Sequence, residues 1–239
     1  MVDLNKNQPF YFYFMFFNIF NNTISPLNLK EKFKKVFISY VLVIFGCFIS
    51  VFFIQITDLI ITKSFHYPSV KDLFHQSRID IDSYGLIKIA ILIPLLEEIL
   101  FRLFLIPKKI NIYISVSFIL FLLINGSFFY INIYNKYLYI ALASIVLMIF
   151  ILKNNISFLQ NFIKNYNNKI IVINIIIFGL IHLTNIDSFY WKLFLFYPIF
   201  VLPQMVMAYF IINLRMKLGF FWGVFLHVII NLISTLIFN

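Results

Sequence analysis

The sequence predicts an all-α fold: a polytopic transmembrane helical bundle of about seven spans, preceded by an N-terminal interfacial helix. Three observations carry this. The chain is 62% hydrophobic and only 12% charged, whereas soluble domains run at roughly 45–50% apolar and 25% charged. Apolar runs of about 18 residues or more follow one another. Lysines stand at the ends of those runs, where topology signals belong. The formal charge of +10 is therefore read as topology signal and attraction to anionic lipid headgroups, and nucleic acid is not expected as a partner. The single cysteine, Cys47, lies inside a span, so no intrachain disulfide can form.

Taken in order, Pro9 to Phe20 is aromatic but too short to span, and it lacks a small-residue cleavage site. Its composition suits an interfacial helix. Residues 1–35 form the N-terminal segment, ending in Lys30, Lys32, Lys34 and Lys35, and residues 36–239 form one membrane domain. The first span is expected at 36–61, followed by a polar outer loop over 62–84 that holds His66 and His75. Further spans are expected at 85–106, 110–130 and 137–152, then an Asn- and Lys-rich loop over 153–169. The last three are expected at 170–183, 193–213 and 220–238, the sixth kinked by Pro198 and Pro203.

With the N-terminus inside, the inner face collects Lys6, Lys30, Lys32, Lys34, Lys35, Lys108, Lys109, Lys153, Lys164, Lys169, Arg215 and Lys217. The outer face holds only Lys63, Lys71, Arg78, Lys136 and Lys192. This bias places the N-terminus in the cytoplasm of a plasma membrane.

Chemistry concentrates in Ile93-Pro94-Leu95-Leu96-Glu97-Glu98-Ile99-Leu100-Phe101-Arg102. One ionisable side chain at the centre of a membrane helix costs about 2.5–3.5 kcal/mol on insertion scales, and this stretch carries three. Glu98 and Arg102 are four apart and share a helix face. Glu97 points about 100° away, free to meet another helix. Adjacent carboxylates in a low dielectric resist joint ionisation, and Arg102 is placed to keep one of them charged.

Two histidines lie in apolar spans, His182 and His227, and Asn231 follows His227 by one turn. At about 1.5 Å per residue, Glu97 lies roughly 18 Å from the outer end of its span, and His182 roughly 18 Å from the inner end of its own. His227 lies roughly 10 Å from the inner end, so all four groups can meet at mid-membrane. A carboxylate near a histidine can activate water, and the donors of His227 and Asn231 suit an oxyanion.

Three patterns in this order resemble the CPBP family, the type II CAAX prenyl proteases and their bacterial Abi relatives. They are Glu97-Glu98-x-x-x-Arg102, Phe178-x-x-x-His182 and His227-x-x-x-Asn231, the last led in by Leu218-Gly219-Phe220-Phe221-Trp222. The likeness runs from about residue 91 to residue 232. It implies a wet intramembrane site cleaving peptide bonds. By position, Glu97 would be the general base and His182 its helper on water. His227 and Asn231 would form the oxyanion site, with Glu98 and Arg102 in support. Leu103 and Val228 stand where many relatives carry smaller residues.

Members of that family are described both as metalloproteases and as metal-free glutamate enzymes. Glu97, His182 and His227 are a zinc-compatible His₂Glu set with one open position, but no His-Glu-x-x-His motif occurs. Direct acid–base catalysis, which needs no cofactor, is the leading expectation, and a zinc-dependent form stays open as the alternative. The expected partners are membrane lipid and a membrane-associated peptide or protein substrate. In a bacterial plasma membrane, that substrate class includes exported peptides and bacteriocins. Two other functions compete: a proton-coupled transporter using the same acidic residues, and a catalytically silent immunity or scaffold protein.

Overall fold

The computed structural model describes residues 27–69, 85–126, 136–186 and 189–238. Among them every regular element is helical and no strand occurs. The expected helix over 9–20, most of the outer loop and His75 lie outside the described residues.

Helix α1 runs Leu29–Ser64, some residues earlier than the apolar run begins, because the Asn28 side chain accepts the Glu31 N–H at 2.8 Å and caps its first turn. Its buried residues are Val36, Val43, Ser50, Thr57 and Ile61, the first four of them seven apart. That seven-residue spacing makes a narrow seam, and the rest of the helix presents exposed Phe and Ile. The Ser50 and Thr57 hydroxyls donate back to the carbonyls of Gly46 and Phe53, so the seam leaves neither unpaired.

The acidic span is a composite helix, α2 (residues 88–105). It has π-helical turns at Lys88–Leu92 and Glu98–Arg102, an α-helical turn at Ile93–Glu97 and a 3-10 turn at Leu103–Leu105. Helix α3 (Lys109–Asn125) and helix α4 (Lys136–Asn165) follow. The loop expected over 153–169 is not a loop. Helix α4 continues to Asn165, and α5 (Asn167–Ile181) begins two residues later. The stretch holds no Gly or Pro to break it, and Ile156, Leu159 and Ile163 pack in helical register against Ile112.

The expected sixth span is broken rather than kinked. A 3-10 turn at Trp191–Leu193, a short helix α6 (Tyr197–Phe200) and helix α7 (Leu202–Leu218) share it. Pro198 and Pro203 each sit in the first turn of a new helix, where a missing N–H costs nothing. Helix α8 (Phe220–Phe238) follows after Gly219, whose φ of 102° lies where only glycine is unstrained. Four stretches are long and apolar enough to cross a membrane: Leu29–Ser64, Lys136–Asn165, Asn167–Asn185 and Phe220–Ile237. Lys109–Asn125 is apolar but shorter.

Helix α7 is the hub of the bundle, packing against α1, α5 and α8. Three glycines admit it. A Cβ on Gly46 of α1 would lie 2.6 Å from Val206 Cγ1, one on Gly179 of α5 would strike Met205, and one on Gly223 of α8 would lie 2.9 Å from Arg215 Cβ. Lipid supplies no hydrophobic drive between helices, so close approach at small residues carries much of the packing. The core at these crossings holds Val43, Phe178, Ile211, Leu214, Trp222 and Leu226.

Gly46→Leu should therefore cost about 1–3 kcal/mol of stability by overpacking against a stiff β-branched neighbour. Val206→Ala in the same chain should restore most of it. Thermal unfolding in detergent micelles measures both.

Candidate functional site

The site begins with backbone. The π turn at Glu98–Arg102 takes main-chain carbonyls out of the regular ladder, and such turns gather at functional positions. Side chains from the surrounding helices take up these carbonyls. Ser115 of α3 donates to Ile99 O at 2.8 Å, Asn174 of α5 donates to Phe101 O, and Arg215 of α7 donates to Glu98 O at 3.4 Å. Below the motif, Asn111 of α3 donates to Ile106 O and Gln160 of α4 to Pro107 O. Helix α2 is thus held by polar groups from its neighbours, although Glu98 Oε2, Arg102 Nε and Nη2, Arg215 Nε and Nη2 and His227 Nε2 stay buried without a hydrogen bond among the described residues.

Glu98 lies at the centre and is fully buried, as are Arg102, Arg215 and His227. Arg102 donates through Nη1 to Glu98 Oε1, as the four-residue spacing predicts. His227 Nδ1 lies 3.0 Å from that same oxygen, and Arg215 Nη1 lies 3.8 Å from Glu98 Oε2. Glu97 turns the other way, with its side chain 22% exposed, and its Oε2 stands 3.4 Å from His227 Nε2. The imidazole is therefore lodged between the two adjacent carboxylates. A carboxylate held between two guanidiniums accepts and does not donate, so Nδ1 carries a hydrogen.

Phe178 of α5 organises the ring packing around this cluster and is fully buried. The Arg102 guanidinium lies over its face at 4.2 Å from the centroid, and His227 meets it edge-on at 6.2 Å. His182 closes the C-terminus of α5, with its ring 4.8 Å from that of Phe178 and its Nδ1 donating to Phe178 O at 2.8 Å. No hydrogen bond or ion pair joins His182 to Glu97, Glu98 or His227 among the described residues. Asn231 is half-buried one turn beyond His227 and has no hydrogen-bond partner among the described residues.

Of the six residues expected to form one site, the structure joins Glu97, Glu98, Arg102 and His227. It places His182 across the Phe178 ring and leaves the Asn231 amide open. The pairing of His227 and Asn231 toward one oxyanion is altered, because both ring nitrogens of His227 face carboxylates. A zinc ion on Glu97, His182 and His227 does not fit this arrangement. Among the described residues, no three His, Cys, Asp or Glu side chains converge as a ligand set.

Arg215 is the residue that sequence reasoning misplaced. It was counted among the inner-face charges, yet it is fully buried against Glu98, with its guanidinium 4.8 Å from the centre of the Phe220 ring. The signal for it was charge balance: two carboxylates within an apolar run, with Arg102 alone, leave one negative charge uncompensated. Lys217, two residues on, lies close enough to Lys35 for the two charges to interact.

Compared with protein families, curated proteins and solved structures, the chain matches none.

Removing the charge of Glu98 leaves two buried guanidiniums without their anion. Glu98→Gln should cost about 3–5 kcal/mol of stability, whereas Glu97→Gln, at a partly exposed position, should cost less than about 1 kcal/mol. Unfolding of both variants in detergent checks the contrast.

Proposed function

We propose that this chain is an intramembrane hydrolase that cleaves a peptide bond in a membrane-associated peptide or protein, with Glu97 and His227 as its water-activating pair. The observation that carries this reading is the imidazole between two neighbouring carboxylates, one locked by arginines and the other partly open. Glu97 is the carboxylate that water can reach. As water attacks the carbonyl carbon, its proton passes to Glu97 and on to Nε2 of His227, 3.4 Å away. When the C–N bond breaks, that proton leaves with the amine. Asn231 is free to donate to the oxyanion. His182, whose Nε2 is left with its lone pair by the bond from Nδ1 to Phe178 O, serves at the edge of the site.

The three motif patterns support the CPBP reading, in the glutamate form of its chemistry. The arrangement that goes with it has about seven spans, counting α2, α3 and the broken α6–α7 stretch, with the N-terminus cytoplasmic in a bacterial plasma membrane. Peptide maturation and defence against bacteriocins are roles that suit such an enzyme.

A proton relay is the second reading, favoured by the same alignment of Glu97, His227 and Glu98 from a partly exposed group to a buried one. Glu97→Ala separates the two. Loss of general-base catalysis should lower hydrolysis of a membrane peptide about 10²–10⁴-fold while the protein stays folded in detergent. Unchanged cleavage would remove Glu97 from the base role, and proton flux in liposomes that depends on Glu97 would favour the relay. Asn231→Ala should lower turnover about 10²–10³-fold if its amide binds the oxyanion.

A further inference from the structure

We propose that Arg215 is the positioning residue of the site: by holding Glu98 from α7, it sets the ring orientation and tautomer of His227. Four observations support this. First, Arg215 reaches Glu98 at two points with one nitrogen, the main-chain carbonyl at 3.4 Å and Oε2 at 3.8 Å. It therefore acts on both the backbone and the carboxylate of the residue that His227 bonds. Second, Arg102 and His227 share the other oxygen, Oε1, while Oε2 has no hydrogen bond among the described residues and faces the Arg215 charge at 3.8 Å, so Arg215 acts on the Oε2 side through an ion pair. With one oxygen pulled from each side, the carboxylate cannot turn without breaking a buried contact.

Third, the position of Arg215 is built into the crossing of α7 and α8. Gly219 turns the chain between them, and Gly223 offers only a hydrogen where a Cβ would lie 2.9 Å from Arg215 Cβ. Phe220 then covers the guanidinium at 4.8 Å. Fourth, the charges balance. Arg102 and Arg215 offset Glu97 and Glu98 only while His227 is neutral, and an excess buried charge is costly in an apolar bundle. The charged or titratable groups near His227 are Glu97, Glu98 and Arg102 on α2, Arg215 on α7 and His182 on α5, the last across Phe178.

This inference rests on the reading of Glu97 and His227 as the proton-handling pair, but its test does not require activity. The full chain is labelled with ¹⁵N-histidine in detergent, and His227 is assigned by comparison with His227→Asn. In the unaltered protein the expected spectrum has a protonated Nδ1 and a bare Nε2. A protonated Nε2, with or without a hydrogen on Nδ1, would overturn the proposal.

Arg215→Gln should lose the single fixed tautomer, giving averaged or doubly protonated ring nitrogens, while Arg215→Lys should restore the original pattern. An Arg215→Gln protein that folds and keeps the wild-type spectrum would also overturn it. Where Arg215→Gln does not fold, the unaltered protein and Arg215→Lys decide by the same two signals: the wild-type pattern in both supports the proposal, and a changed tautomer in Arg215→Lys overturns it. If Glu97→Ala retains cleavage while Arg215→Gln disturbs the tautomer, the assignment of Glu97 as base fails and the positioning role stands.

Discussion

A carboxylate enclosed by apolar helices stays charged only where cations and hydrogen-bond donors meet it, and in this bundle the requirement falls on Glu98. Its partners come from three directions: Arg102 from its own helix, Arg215 from α7 and His227 from α8. Satisfying one side chain therefore constrains how three helices meet. The glycine contacts serve the same end, since α7 delivers Arg215 to this depth only where Gly223 lets α8 approach closely. Packing and electrostatics here are one constraint seen from two sides.

The irregular backbone of α2 extends that constraint. A straight α-helix through this position would keep its carbonyls to itself. The π turns release them, and Ser115, Asn174 and Arg215 each accept the task of covering one. Isolated polar residues inside apolar helices thus acquire a reason. The consequence for function is that Glu97 and Glu98, neighbours in sequence, face different surroundings: one partly open, the other locked. A pair of carboxylates with unequal environments is the arrangement from which acid–base roles are made.

Much of this was legible from residue order alone, and the places where it was not are instructive. The ion pair of Glu98 and Arg102 follows from a four-residue spacing, and α8 follows from an unbroken apolar run. The polar composition of residues 153–165 pointed to a loop, yet Ile156, Leu159 and Ile163 gave the segment an apolar face that only its partner Ile112 makes useful. Pro198 and Pro203 pointed to a kink. Two prolines five residues apart instead leave room for separate helices, each opened by its own proline. Arg215 was misread because charge near a span end is the usual mark of the membrane surface. Its burial depends on a glycine on another helix.

By itself, the sequence determined the helical membrane class and the chemical groups placed inside the apolar segments. Hydropathy and residue spacing are properties of one helix at a time, and they survive whatever that helix packs against. Only the tertiary structure decided that His227 stands between the two glutamates, that His182 sits beyond Phe178, and that Arg215 completes the buried cluster. Those outcomes depend on how each helix is rotated and how closely it crosses its neighbours. Rotation and crossing are set jointly by contacts between residues as distant in the chain as Glu98 and His227, which no local reading of either segment contains.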